Sequence, residues 1–335
     1  MTRVFSEGFE MRDIVGLTST ASINTTYKRS GSACLNVPHG SYYLTIPVSD
    51  LSEAYLRFGL YWNGTSSGTF KIHWRKGSTS LGYLSFGDAT NGFFELYINS
   101  ILVATGTNEL IINTWYLVEV RIQIADAGVV QVKIEGLSTL DIDYSGDTKP
   151  GADADFDNIH FINNGLTTAS LHVYLDDMAI NDTAGGVDDS WCGDGHIIVI
   201  KPNGDTATLE LTPSAAVGHY TLVDDIPADG DTTYVEGSVV DERDIYDLEA
   251  CGLGDVIITR IWTEARAKDT ATSGKTIALI TKASGGAEVS GGDVGLAGGY
   301  TVKVLGAEEL VNPVDSAAWE VADIDALQGG PKTRS

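Results

Sequence analysis

A strict alternation of apolar and polar residues between positions 116 and 134 constrains the fold of this chain more than any other sequence feature. In TWYLVEVRIQI, one face carries Tyr116, Val118, Val120, Ile122 and Ile124, and the other carries Glu119, Arg121 and Gln123. The segment VVQVKIEG repeats the pattern, and ADAG separates the two. Successive side chains of a strand point to opposite faces, so this period of two predicts a β-hairpin with one buried and one solvated face.

Other segments of the first half show a similar alternation of apolar and polar residues. Strand candidates are YLRFGLYW (55–62), FKIHWRKG (70–77), FFELYIN (93–99) and LHVYLDDMAI (171–180). Several short alternating strands joined by turns are typical of an antiparallel sandwich in which each sheet keeps one solvated face. The sequence therefore predicts an all-β fold for this part of the chain.

The strand pattern stops in NDTAGGVDDSWCGDG (181–195), a small, polar and acidic stretch that predicts a domain boundary. We place one domain at residues 1–183 and a second, mostly β domain at 184–335. Strand signals resume in HIIVIKPNGD, 256–268, 275–282 and 300–306. Helix is expected only in DERDIYDLEA (241–250) and in a short C-terminal helix, with Asp323 as N-cap and Gly329 as the stop.

Charge and cysteine content exclude several classes of function. The chain has 46 acidic and 21 basic residues, a net charge of −25, so a nucleic-acid ligand is not expected. Three scattered cysteines, with no CxxC pair, fit folding in a reducing cytoplasm and not a disulfide framework. The opening MTRVFSEGFEMRD lacks the apolar core of a signal peptide, and we expect no membrane span.

Three stretches of the first half resemble concanavalin A-like and laminin-G-like jelly-roll domains. They are FSEGFE with GSACLNV, the hairpin TWYLVEVRI…GVVQVKIEG, and YLDDMAIND, which resembles the closing strand of such domains. Together they cover roughly residues 1–183. The resemblance implies a jelly-roll sandwich and a lectin-like role for the first domain.

The second half resembles a module of minor bacteriophage virion proteins. The likeness is carried by WCGDGHIIVIKPNGD, LTPSAAVGHYTLVDDIPADGDTTYV, RDIYDL and the ending NPVDSAAWEVADIDALQGG. It implies a structural component of the virion, made in the host bacterial cytoplasm and placed on the tail, a fibre or the capsid surface. Other virion proteins are the implied partners, together with copies of the chain itself in a homo-oligomer such as a trimer. Host-surface carbohydrate is the implied ligand of the lectin-like domain.

Two other functions stay open at this stage. The first is a free carbohydrate-binding lectin-like module, and the second is a glycan-degrading enzyme. Jelly-roll glycosidases need two carboxylates about 5–10 Å apart across the scissile bond. The nearest acidic set, Glu242, Asp244 and Glu249, lies in a segment that we expect to be helix or loop. We therefore expect a protein that is not an enzyme and has no catalytic residues.

Aromatic side chains are the candidate ligand-binding groups, because sugars stack on aromatic faces. Of the aromatics in the strand candidates, Trp62 and Trp74 share faces with apolar residues and are expected in the core. Tyr61 and Tyr97 are then the candidates for contact with a glycan.

A structural calcium is the one cofactor that the sequence suggests. The jelly-roll resemblance implies a metal shared between a first-strand glutamate and a last-strand aspartate, which are Glu10 and Asp177 here. Asp177 falls on the apolar face beside Val173 and Leu175, where an unpaired carboxylate is costly. It therefore needs a partner, whether a metal ion, an arginine or backbone amides.

The stretch from 257 to 282 is unusually rich in cations for so acidic a chain. Arg260, Arg266 and Lys268 make it the candidate surface for docking on an acidic neighbour. The alternative is that these cations balance acids elsewhere in the same domain.

Overall fold

The protein divides into two units. The computed structural model describes residues 3–64, 68–88, 91–165, 171–271, 273–301 and 303–335. The first unit is Met1–Ile198 and the second is Val199–Ser335. The division lies later in the chain than the expected 183/184 junction, because residues 184–198 belong with the first unit.

The first unit is built from β-strands. In chain order they are β1 (Arg3–Glu7), β2 (Thr18–Ser19), β3 (Ser22–Asn24), β4 (Cys34–Pro38), β5 (Tyr42–Leu51), β6 (Glu53–Asn63), β7 (Gly68–Lys76), β8 (Thr79–Asp88), β9 (Asn91–Ile98), β10 (Ile101–Thr105), β11 (Tyr116–Gln123), β12 (Gly128–Ile134), β13 (Ile142–Gly146), β14 (Phe156–Gly165) and β15 (His172–Asn181).

These strands form two antiparallel sheets. The first sheet has the order β13-β12-β11-β6-β15-β4-β3, with β1 also paired to β15. The second sheet has the order β10-β9-β8-β7-β14-β5-β2. Strands distant in sequence lie side by side, as β6 does between β11 and β15, so the chain crosses repeatedly from one sheet to the other. The two inner faces share one hydrophobic core.

The hairpin predicted from the alternation at 116–134 is confirmed. Strands β11 and β12 pair antiparallel, with Val120 opposite Val132. Val118, Val120 and Ile122 are buried in the core, while Arg121 and Gln123 lie on the outer face. Trp62 and Trp74 are also core residues, as expected.

The second unit has shorter elements. They are β16 (Pro202–Leu209), β17 (Thr212–Pro213), a 3₁₀ turn (His219–Leu222), β18 (Val235–Glu236), β19 (Asp244–Leu248), β20 (Glu264–Arg266), β21 (Thr276–Lys282), β22 (Val289–Ser290), β23 (Val294–Gly295), β24 (Lys303–Leu305), α1 (Val321–Ile324) and β25 (Gln328–Thr333). The main sheet runs β16-β19-β25-β21-β22, with β23 also paired to β21. Trp319 and Leu327 lie in a separate small core.

Two local predictions for the second unit are wrong. Residues 244–248 form strand β19 and not a helix, because Ile245 and Tyr246 are buried between neighbouring strands. The C-terminal helix exists, but its N-cap is Glu320, which forms a capping box with Asp323 at the third helical position. Gly329 lies inside strand β25 and does not end the helix.

Among the residues that the structure describes, no helix has the length and apolarity that a membrane span requires.

Candidate functional site

The outward face of the second sheet carries a row of ring side chains that crosses neighbouring strands. Tyr97 on β9 is opposite Tyr83 on β8, and Tyr83 is opposite His73 on β7. His73 is in turn opposite His160 on β14. We call Tyr97, Tyr83, His73 and His160 the aromatic row. Three strand spacings give it a length of about 14 Å, which suits a short stretch of polymer.

The rings of the aromatic row are in contact. Tyr83 and Tyr97 stack with centroids 4.7 Å apart and planes 10° apart, and the His73 and Tyr83 centroids are 4.8 Å apart. His160 lies 6.2 Å from His73 and stacks on Tyr43 at 5.3 Å. Tyr83, Tyr97 and His73 are half-buried, whereas His160 is buried. The row therefore presents half-buried aromatic rings at one end and a covered imidazole at the other.

Charged and polar groups surround the row. The Lys71 ammonium lies 4.6 Å from the centre of the Tyr83 ring, a cation–π geometry. The Tyr97 hydroxyl donates to a Glu95 carboxylate oxygen at 2.8 Å. Strand alternation explains the arrangement, since Phe70, Ile72 and Trp74 face the core while Lys71 and His73 face outward.

Both histidines of the row are held neutral. Burial, aided by Arg75, His160 and Lys71, lowers the pKa of His73 to about 3. Burial and Arg75 lower the pKa of His160 to about 4. Nδ1 of His73 is 2.8 Å from the Ser80 hydroxyl, and Nδ1 of His160 is 2.7 Å from that of Thr45. These hydroxyls fix the orientation of each ring.

The tyrosines of the row are held protonated. The hydrogen bond to Glu95, together with burial, raises the pKa of Tyr97 to about 12. Burial and Glu95 also raise the pKa of Tyr83. Both kinds of ring are therefore uncharged near neutral pH, and the row presents neutral aromatic side chains.

Only one of the two predicted ligand-binding aromatics lies on this row. Tyr97 is part of it, but Tyr61 lies on the first sheet, 8% exposed, packed against Tyr27, Tyr174 and Trp115. Sequence reasoning missed Tyr83, His73 and His160. The alternation in FKIHWRKG shows that His73 faces outward, but which strands lie beside it is not visible in the sequence.

Both carboxylates of the predicted calcium site accept hydrogen bonds from protein groups. Asp177, fully buried, accepts hydrogen bonds from the Arg29 guanidinium at 2.9 Å, the Ser30 hydroxyl at 2.7 Å and the Ile197 amide at 2.8 Å. Glu10 accepts from the Ser32 amide at 2.6 Å. Arg29, the Ser30 hydroxyl and the Ile197 amide are thus partners of Asp177, and a calcium ion between Glu10 and Asp177 stays a prediction. Across the described ranges, no group of three or more His, Cys, Asp or Glu side chains could hold a metal ion.

The predicted basic interface residues have partners within the second unit. Arg260 pairs with Glu308, and Lys268 pairs with Asp231. Arg266 donates to the Tyr300 carbonyl at 2.8 Å. These contacts agree with the alternative interpretation of residues 257–282, in which the cations pair with groups of the same domain.

No family model matches the sequence, and no curated protein matches it. Several solved structures are similar. An alginate lyase shares 18% identity over 53% of this chain and 96% of its own, with a TM-score of 0.38. The endo-beta-1,4-glucuronan lyase of the fungus Trichoderma reesei shares 13% over 57% and 100%, with a TM-score of 0.41. Lectin II of Ulex europaeus shares 12% over 53% and 97%, with a TM-score of 0.37.

The fold prediction is confirmed: the protein is all-β, with an antiparallel jelly-roll sandwich and a second β-rich unit that contains a short helix near its C-terminus. The proteins of similar structure are carbohydrate-binding or carbohydrate-active. The prediction that the chain is not an enzyme is contradicted, because two of these three proteins are lyases. A carboxylate pair is the signature of glycosidases, and its absence from the strand segments does not bear on cleavage by proton abstraction.

Proposed function

We propose that the protein binds carbohydrate on the outward face of its second sheet. The observation that carries the proposal is the aromatic row, in which Tyr83 and Tyr97 present stacked, half-buried rings beside the Lys71 ammonium. A pyranose ring has an apolar face that packs on an aromatic ring and hydroxyls that need polar partners. His73 and Lys71 supply those partners at the edge of the platform.

Binding to an array of bacterial surface glycans, followed by calorimetry on the best ligand, tests this proposal. Tyr83→Ala should weaken binding about tenfold or more, which corresponds to roughly 1.4 kcal/mol. Tyr220→Ala, in the second unit, is the matched control and should bind as the unchanged protein does. Equal affinity of the Tyr83→Ala variant and the unchanged protein would contradict this placement of the site.

A second candidate function is cleavage of an acidic glycan by β-elimination. It is favoured by the contact between the His73 imidazole and the Tyr83 phenol, whose ring centroids lie 4.8 Å apart, with the Lys71 ammonium beside them. In such a step, a base removes the proton on the carbon next to the sugar carboxylate, and the glycosidic carbon–oxygen bond breaks. The leaving oxygen takes a proton from an acid, and a double bond forms. Lys71 and Arg75 would stabilise the carboxylate while negative charge builds up on it.

The unsaturated product absorbs ultraviolet light, so a continuous absorbance assay on alginate and glucuronan measures this activity. His73→Gln and Tyr83→Phe should each abolish the signal, while Tyr83→Phe keeps its ring and hence its glycan binding. Binding without any absorbance change in the unchanged protein would leave carbohydrate binding standing and exclude elimination of these two polymers.

We also propose that the protein is a component of a bacteriophage particle, made in the host cytoplasm and assembled there as a homo-oligomer with other virion proteins. The support is the resemblance of WCGDGHIIVIKPNGD and NPVDSAAWEVADIDALQGG to minor virion proteins. Mass spectrometry of purified particles tests it. The protein should be recovered in a fixed ratio to the capsid protein, and its complete absence would contradict the proposal.

A further inference from the structure

Residues 188–197, which we call the strap, lie across the outer face of the first sheet. Trp191 packs edge-on against Tyr55 of β6, with ring centroids 5.4 Å apart. The Lys133 ammonium lies 5.7 Å from the centre of the same Trp191 ring. The strap thus covers the surface on which Tyr55, Glu119 and Lys133 project.

Buried polar side chains of the sheet bind the main chain of the strap. Asn181 donates to the Ser190 carbonyl at 2.8 Å, and the Gly193 amide donates to Glu119 at 2.7 Å. The Ile197 amide donates to Asp177 at 2.8 Å. Asn181, Glu119 and Asp177 are all at least nine-tenths buried. Buried polar groups need partners, and here an extended segment supplies them.

Charges of the strap and of the surface that it covers are complementary. Asp188 pairs with Arg3 at 3.5 Å and Asp194 pairs with Arg29 at 2.7 Å, while Arg29 also donates to the Gly195 carbonyl at 3.1 Å. The chain as a whole has only 21 basic residues against 46 acidic ones. Several of these few cations therefore converge on one acidic segment, as at a peptide-recognition surface.

Gly195 allows the main chain of the strap to lie close to the side chains of the first sheet. A Cβ at Gly195 would lie 2.4 Å from a guanidinium nitrogen of Arg57. Arg57 is buried and donates to the Asp177 carbonyl at 3.0 Å and to the Gly193 carbonyl at 3.3 Å. The glycine at position 195 and the main-chain path of the strap thus both fit this surface.

The segment before the strap makes little contact. Residues 183–187 are exposed, and a Cβ at Gly186 would meet no atom within 4 Å. The loop that links β15 to the strap is therefore exposed and makes few contacts. The strap itself is held by ion pairs, hydrogen bonds and the packing of Trp191 on Tyr55.

We propose that the outer face of the first sheet is a peptide-binding groove whose ligand is the acidic, tryptophan-containing strap of the same chain. The strap is held by its own charge pairs, hydrogen bonds and aromatic contact. Its attachment therefore does not depend on the covalent connection through the loop at 183–187. Trp191 is the anchor, and the Asp194–Arg29 pair gives the groove its preference for an acidic residue at that position.

Cleavage of the full chain inside this loop tests the proposal. Residues 184–187 are replaced by a protease recognition sequence, and the cut protein is passed over a sizing column with the uncut protein as control. The two fragments should elute together. An excess of a synthetic peptide with the sequence of residues 188–198 should then release the C-terminal fragment.

Two variant peptides make the test specific. A peptide with Asp194→Ala should compete about tenfold more weakly, because it lacks one charge-assisted hydrogen bond. A peptide with Asp189→Ala has the same net charge as the Asp194→Ala peptide and should compete as well as the unchanged peptide. Separation of the fragments on cleavage, failure of every peptide to compete, or equal competition by all three would overturn the proposal.

Discussion

At the scale of single residues, the two histidines of the aromatic row have a defined effect on acid stability. Their pKa values, about 3 for His73 and about 4 for His160, are below the ordinary value of 6.5. Between pH 6.5 and about 4 the unfolded chain therefore binds protons that the folded chain does not, and the free energy of unfolding falls as the pH is lowered. Above pH 6.5 their stabilising contribution is complete.

Nuclear magnetic resonance of the imidazole protons checks this directly. Both rings should stay in the neutral form down to pH 5. His160→Gln should flatten the fall in the urea midpoint between pH 6.5 and pH 5. A His73 or His160 signal with a midpoint near pH 6.5 would show that the ring is hydrated and not buried.

The two faces of β11 predict opposite tolerances to substitution. Val120 is buried opposite Val132, so Val120→Asp would place a carboxylate in the core at a cost of roughly 4 kcal/mol. Arg121 lies on the outer face and pairs with Glu53 at 2.7 Å, so Arg121→Gln should cost no more than about 1 kcal/mol. Urea unfolding compares the two variants, and equal losses would mean that the register of this strand is different.

At the scale of elements, the glycines of β25 set how closely this strand packs against β19. A Cβ at Gly330 would lie 2.0 Å from the carbonyl oxygen of Asp244, which is main chain and cannot rotate away. Gly330→Ala should therefore destabilise the second unit by about 1–3 kcal/mol. Gly254→Ala, where a Cβ meets nothing within 4 Å, is the control. Calorimetry should show a lower unfolding temperature of the second unit for Gly330→Ala only.

At the scale of the whole molecule, the loop at 183–187 should be the first site of proteolysis. It is exposed, while the strap that follows is held on the first sheet. Dilute protease should give two fragments on a denaturing gel, with cleavage between 182 and 189. Early cleavage between 190 and 197, or inside 116–134, would show that the strap or the sandwich core is more open than the contacts imply.

The sequence by itself determined the fold class and the faces of the strands. A period of two is a local property, so Val120 and Ile122 could be assigned to the core, and Arg121 to the surface, without knowledge of any neighbour. The same reasoning assigned Trp62 and Trp74 to the core. It failed at 244–248, where DERDIYDLEA has polar residues that suit a helix, but burial of Ile245 and Tyr246 between strands overrides local preference.

Only the tertiary structure decided which surface residues act together. The aromatic row joins positions 73, 83, 97 and 160 because β7, β8, β9 and β14 are neighbours in one sheet, and strand order depends on pairing between distant segments. For the same reason Tyr61 and Tyr97, similar in sequence context, lie on different sheets. Asp177 could be recognised from the sequence as a carboxylate in need of a partner, but that Arg29 and the Ile197 amide are that partner follows from chain segments that meet only in the folded protein.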